Sequence, residues 1–187
     1  MARIAPLDPP YADDVAAELA ALMPPGVPPI GLFRTFVHHL PMTRALRSWG
    51  GHELGRSLAL SLREREIVID RTCARCGCEY EWGVHIAVFA ERAGLDGPQV
   101  ASLTRGTAAD PCWTSERERL LIEAVDQLHD TADVDDALWS RLAAALDERE
   151  LLDLLLLTGW YHAISYVARA ARVEREPNAP AFADVAG

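Results

Sequence analysis

Apolar residues recur along most of this chain at spacings of three and four, the mark of helices that bury one face, and strand-like alternation is absent. In residues 13–23, Val15, Leu19 and Leu22 share one side. Leu32 to His39 predicts a helix stopped before Pro41, and Met42 to Trp49 predicts another, ended by Gly50-Gly51. Ser61-Leu-Arg-Glu64 has the form of a capping box and opens a helix through about Arg75, which Gly77 breaks. A second helix runs from about Glu79 to Ala93 and ends at Gly94. Ser115-Glu-Arg-Glu118, another capping box, opens a helix to about His129, followed by Asp135 to Leu146 and Arg149 to Arg172. The expectation is an all-α bundle built around an antiparallel pair at about 63–76 and 79–93. Arg63–Ala93 and Glu148–Arg172 share a charged start, an apolar stretch and a mid-segment glycine, a weak internal similarity.

Two segments change this picture. Residues 1–31 hold most of the prolines, which predicts an extended arm with one short helix, either docked on a neighbouring subunit or loose. The most apolar stretch, Leu151 to Ala168, contains Asp153, Thr158, His162 and Ser165, with Arg169 directly after it. Lipid would penalise those groups heavily, so this segment is expected to be a buried core helix rather than a membrane span. With 187 residues, half of them apolar, the whole chain 1–187 is expected to form one domain. The formal net charge of −10 argues against nucleic acid and anionic lipid as partners. All 18 basic residues are arginine, which excludes Schiff-base, pyridoxal-anchoring and phosphate-loop lysine chemistry. The N-terminus lacks a signal-like apolar core, so a cytoplasmic location is expected. In a reducing cytosol the four cysteines are left for metal binding, redox work or plain burial.

Candidate chemistry concentrates between Glu66 and His85. At about 100° per residue, Cys78 and His85 lie on nearly one helix face, with Glu81 between them. Glu66, twelve residues before Cys78 and across the Gly77 break, reaches the same pocket if the two helices fold back on each other. A thiol, two carboxylates and an imidazole so grouped can move protons, and a helix N-terminus favours a Cys78 thiolate. Each residue also has a plainer reading. Glu66 sits among Arg63, Glu64 and Arg65 and could face solvent; Glu81 and His85 could be a surface i,i+4 pair; Cys73 and Cys76 could be small buried residues. His162 is either a satisfied core histidine or a pocket residue opposite His85. Tyr80 and Trp82 are packing residues or pocket residues, with Trp82 and Trp160 candidates to wall a small apolar cavity. His38 and His39 read as capping or interface residues, and Cys112 as a plain loop cysteine. Cys73, Cys76, Cys78 and His85 supply soft ligands, but the second ligand pair usual for zinc is missing, so no metal is expected.

The spacing Glu66-x11-Cys78-x2-Glu81-x3-His85 resembles the active-site pattern of the carboxymuconolactone decarboxylase / alkylhydroperoxidase-like superfamily, Glu-x11-Cys-x2-Cys-x3-His. The runs Arg63-Glu-Arg-Glu-Ile-Val-Ile69, Phe33-Arg-Thr-Phe-Val-His-His-Leu-Pro41 and Gly159-Trp-Tyr-His-Ala-Ile-Ser165 look like a branch in which Glu-Tyr-Glu-Trp replaces the redox pair. The resemblance spans roughly residues 3–175. It implies a helical bundle of the alkylhydroperoxidase-like type, a homo-oligomer (dimer, trimer or hexamer), a small-molecule substrate and no cofactor. It also implies thiol-dependent reduction of peroxides, a peroxiredoxin-type activity, with Glu66, Cys78, Glu81 and His85 catalytic. Glu81 in place of the second cysteine leaves Cys78 without its resolving partner, and the Cys73/Cys76 pair is a displaced substitute. Two alternatives stand beside it: a decarboxylase-like lyase using Glu and His for acid–base work, and a non-catalytic member that binds a small ligand.

Overall fold

A computed structural model describes residues 1–185, and its described residues form nine α-helices and no strand. They are α1 (Asp13–Leu22), α2 (Gly31–Phe36), α3 (Leu40–Glu53), α4 (Leu62–Arg75), α5 (Glu79–Phe89), α6 (Gly97–Arg105), α7 (Glu116–Thr131), α8 (Asp136–Ala145) and α9 (Glu148–Ala171), with single 3-10 turns at Val37–His39 and Phe182–Asp184.

The bundle is organised around α4, which packs against α5, α6, α7 and α9. Its residues 65–73 are all buried, so this helix has no solvent face. That placement forces partners on its charged residues. Arg71 meets Asp126 of α7 with two nitrogens, at 2.7 and 2.8 Å, and donates to the carbonyls of Ser102, Leu103 and Gly106 at the end of α6. One guanidinium thus caps α6 and ties three helices together.

The ends of α4 are set by local chemistry. Ser61 accepts from the Glu64 N–H while Glu64 accepts from the Ser61 N–H, the reciprocal cap expected from the sequence. At the other end Gly77 adopts φ +62°, with Gly77 N–H bonded to Ala74 O at 2.9 Å and Cys78 N–H to Cys73 O at 2.8 Å. This two-bond closure needs a left-handed residue, which glycine supplies without steric cost. It reverses the chain and lays α5 along α4, the antiparallel pair on which the site depends.

Several boundaries differ from the sequence pattern. Pro41 does not stop a helix; it sits in the first turn of α3, where a missing N–H costs nothing. Gly50 and Gly51 lie inside α3 instead of ending it. A Cβ on Gly50 would stand 3.1 Å from Trp160 Cζ2, so that glycine allows α3 to approach α9 closely. The Leu32–His39 segment divides into α2 and a 3-10 turn, and α5 ends at Phe89 rather than near Ala93. Helix α6 was not expected, although Asp96 and Gln99 form a reciprocal cap at its start. Ser115 caps α7 through the Glu118 N–H alone, without the return bond of a full box. The proline-rich arm is not loose: it is held against its own chain among the described residues. Arg3 N–H bonds to Ala171 O, Leu7 N–H to Arg34 O, and Glu18 of α1 takes Arg44 and Arg47 of α3.

Helix α9 is long and apolar enough to cross a bilayer by length and composition alone. In the bundle it packs on α3, α4, α5, α7 and α8 and buries Leu151, Leu154, Leu157, Tyr161, Ile164 and Ala168, while Leu152, Leu156, Tyr166 and Val167 face outward.

Candidate active site

The reversal at Gly77 places His85 of α5 against Glu66 of α4, and α9 closes the third side with Tyr161. His85 Nδ1 lies 2.8 Å from Glu66 Oε2, and Nε2 lies 3.0 Å from the Tyr161 hydroxyl and 3.6 Å from Glu81 Oε1. Glu66 Oε1 accepts from Arg65 Nε and Nη2 at 2.7 and 2.6 Å. Arg65 also donates to Leu54 O, and its guanidinium stacks 5.0 Å from the Phe89 ring centre. Glu66 is fully buried, and His85, Tyr161, Arg65 and Glu81 nearly so.

Such charges survive burial only as a mutually neutralising set. Burial pulls the His85 imidazolium down, but Glu66 and then Glu81 outweigh it and raise its pKa to about 10. Burial alone would raise Glu66, but His85 and Arg65 hold it below the usual carboxylate range. Burial, with Glu81 and Glu66 beside it, pushes the Tyr161 phenol well up. At neutral pH His85 is therefore doubly protonated and donates from Nδ1 to Glu66 and from Nε2 to the Tyr161 oxygen.

The cluster opens on one side to a cavity of about 290 Å³. Leu22, Leu32, Phe33, Phe36, Leu46, Trp160 and Ile164 give it an apolar wall, Glu81 and Tyr161 lie on its buried side, and Arg47 stands at the solvent side. Glu81 Oε2 is buried and has no hydrogen-bond partner. Glu81 is thus the carboxyl group through which the buried relay meets the cavity.

The thiols are placed differently from expectation. Cys73 and Cys78 are fully buried, Cys76 is 7 % exposed, and none lines this cavity. Cys78 occupies the N-cap position of α5 without a side-chain capping bond, and burial dominates and raises its pKa. Burial likewise raises Cys73 well above the ordinary thiol range and raises Cys76. The helix dipole does not produce a Cys78 thiolate here, because desolvation is the larger effect.

Tyr80 and Trp82 are also displaced from the cavity. The Tyr80 hydroxyl donates to Glu176 and accepts from the Leu32 N–H, pinning α5 to α2 and the C-terminal segment, while Trp82 stacks on Phe182. His162 does not face His85: one residue along α9 turns the side chain by about 100°, and Tyr161 takes that place. His162 Nε2 instead lies 3.0 Å from His129 Nδ1 of α7, which is 3.9 Å from Cys76 Sγ. Trp160 does wall the cavity, as foreseen; Trp82 does not. His39 caps α3 through Met42 N–H, and His38 holds Ala5 O.

Sequence reasoning missed Tyr161, Arg65 and Asp70. A hydroxyl on the buried stripe of α9 signals a need for a partner. Asp70, one turn after Glu66, is fully buried with neither oxygen partnered, and burial, then Glu66, pushes its carboxyl well above the usual range. It carries its proton.

Comparison with known proteins agrees with this architecture. Residues 42–126 match the Carboxymuconolactone decarboxylase family. No curated protein matches the chain. Among solved structures, an uncharacterized peroxidase-related protein from Silicibacter sp. TM1040 superposes with a TM-score of 0.78 at 17% identity, covering 96% of each chain. An alkylhydroperoxidase AhpD core protein, also uncharacterized and peroxidase-related, from Ralstonia eutropha JMP134 gives 0.75 at 15% identity over 93% of each chain. A putative antioxidant defence protein AhpD from Agrobacterium tumefaciens gives 0.67 at 17% identity, covering 75% of this chain and 94% of that one. At these identities the likeness is one of fold.

Proposed function

We propose that this member of the carboxymuconolactone decarboxylase / alkylhydroperoxidase-like superfamily is an acid–base enzyme of the decarboxylase-like type, acting on a small, largely apolar carboxylic acid. One observation carries the reading: the position facing the cavity at the head of the Glu66–His85 relay is a carboxylate, Glu81, and no thiol lines that cavity. Glu81 delivers a proton to the substrate carbon from which carbon dioxide departs. The breaking C–C bond leaves its electron pair in the substrate's conjugated system, the proton from Glu81 quenches it, and solvent returns a proton to Glu81. The reaction is redox-neutral and needs no second substrate. The His85 imidazolium, 3.6 Å away, stabilises the Glu81 carboxylate formed in that step, and Glu66 with Arg65 keeps His85 charged.

Decarboxylation of a carboxymuconolactone, followed as carbon dioxide release, tests the reading. Glu81→Gln is expected to lower the rate by about 10²–10⁴-fold, the usual weight of one general acid. Replacing Cys73, Cys76 and Cys78 together by serine is expected to leave it nearly unchanged. Loss of turnover in the cysteine variant with retention in Glu81→Gln overturns the reading.

A second reading, thiol-dependent reduction of peroxides, is favoured by three free thiols at 73, 76 and 78, with Cys78 at the N-cap position of α5. It requires local opening to expose a sulfur. Peroxide-dependent oxidation of a dithiol, abolished in Cys78→Ser, would support it.

A further inference from the structure

Adjacent residues of α9 serve different places. Tyr161 turns inward to His85, while His162 turns to the opposite side of α4, where the chain makes a second convergence of side chains. Cys76 at the end of α4, His129 near the end of α7 and His162 each present one donor atom, and the three donors lie within 4.8 Å of one another. We propose that Cys76, His129 and His162 bind a zinc-class divalent transition-metal ion. Zinc bonds of about 2.0–2.1 Å to nitrogen and 2.3 Å to sulfur set tetrahedral donor separations of about 3.3–3.7 Å. The observed separations are 3.9 Å for Cys76 Sγ to His129 Nδ1 and 3.0 Å for His129 Nδ1 to His162 Nε2. Closing the set around an ion needs side-chain shifts of about 1 Å or less.

Three features fit an ion rather than chance proximity. First, His162 Nδ1 lies 2.8 Å from the Thr158 carbonyl, which can only accept. The proton is therefore on Nδ1, and the Nε2 lone pair points into the cluster, the outer support that ligating histidines usually have. Second, two ring nitrogens face each other at 3.0 Å, a contact that needs a shared proton or a shared cation. Third, the site has a path for the ion. Cys76, His129 and His162 line an open depression with Ser165 and Tyr166, and both histidines are only partly buried. Two guanidiniums border it, but Arg75 is paired with Asp126 and Asp130, and Arg169 is engaged by the Cys76 carbonyl. One sulfur and two imidazoles select zinc-like ions over magnesium or calcium, which take oxygen. Binding exchanges the Cys76 S–H proton for the S–metal bond and releases that proton to solvent, without redox change. Three protein ligands leave a fourth position to water, the form of an exchangeable rather than a closed site.

The test is a cobalt(II) titration of the reduced, chelator-stripped protein, followed by zinc. The expected result is one equivalent bound, with a thiolate-to-cobalt charge-transfer band, tetrahedral-type visible bands, and displacement of both by zinc. Cys76→Ser is expected to remove the charge-transfer band. His129→Ala and His162→Ala are expected to weaken binding by more than about tenfold while keeping the helical circular dichroism, and Cys112→Ser to change nothing. The proposal is overturned if wild type shows no such band, if the band survives in Cys76→Ser, or if it follows Cys73 or Cys78 instead.

Discussion

The inner cluster of Glu66, His85, Tyr161 and Glu81 and the outer cluster of Cys76, His129 and His162 share helices α4 and α9 but obey different physics. Inside, every charge is desolvated, so an acid and an imidazole exist as ions only because each offsets the other. Outside, the two histidines are only partly buried and Cys76 alone is enclosed, so their convergence costs the fold little. A one-residue step on α9, Tyr161 to His162, divides proton chemistry from soft-ligand chemistry. Chemical residue type therefore says less about role than which side of α4 a side chain reaches.

The sharpest way to break this contrast is to remove one partner of the inner pair. His85→Ala or Glu66→Ala leaves an uncompensated buried charge and is expected to lower unfolding stability by about 3–5 kcal/mol, read by urea denaturation. A loss below about 1 kcal/mol would mean the pair is not ionised. The pair also sets a pH window. The folded His85 pKa is raised from 6.5 to about 10, so its contribution is complete below pH 6.5 and disappears as pH rises through 10. Glu66 is shifted down, so its contribution is complete above about 4.5 and disappears as pH falls through its depressed folded value. The two contributions are both complete only between about pH 4.5 and 6.5; above that window stability should fall as pH rises toward 10, and His85→Gln should remove that alkaline decline.

Asp70 sharpens the comparison from the other direction, as an inner acid with no partner. Its folded pKa is raised, so the unfolded chain releases a proton that the folded chain keeps, and stability falls as pH rises above about 3.8. Asp70→Asn is expected to gain on the order of 1–3 kcal/mol at pH 8 and less at pH 5, measured by the same denaturation. Equal effects at both pH values would show that Asp70 is ionised in the fold.

Much of the inner site could be read before any coordinates. The spacing of Glu66, Glu81 and His85 with a glycine between the two helices is local information, and local helical geometry carries it into the fold. Tyr161 was not legible, because on the apolar stripe Leu154, Leu157, Tyr161, Ile164 an aromatic reads as core, and only packing reveals what its hydroxyl meets. The outer cluster joins positions 76, 129 and 162 on three helices, so no spacing encodes it. Cys76 was grouped with Cys73 and Cys78 because they are near in sequence. The sequence pattern makes Gly50 a helix end, whereas its role comes from Trp160, more than a hundred residues away. The burial of Cys78 was hidden for a different reason: its position at a helix start is visible in the sequence, but its complete enclosure depends on packing between helices.

The smallest expected effect is the most discriminating for the outer cluster. In chelator-stripped protein, His129→Ala and His162→Ala should each change stability by no more than about 0.5 kcal/mol, because both side chains are partly exposed to solvent. With zinc present at a hundredfold over the wild-type dissociation constant, wild type should gain about 2.7 kcal/mol, while variants that bind at least tenfold more weakly gain about 1.4 kcal/mol or less. The two conditions separate two meanings of the same 3.0 Å contact. If either histidine variant costs about 2 kcal/mol or more without metal, the contact is a structural hydrogen bond holding α7 to α9. The division between a costly inner site and an inexpensive outer one would then be lost.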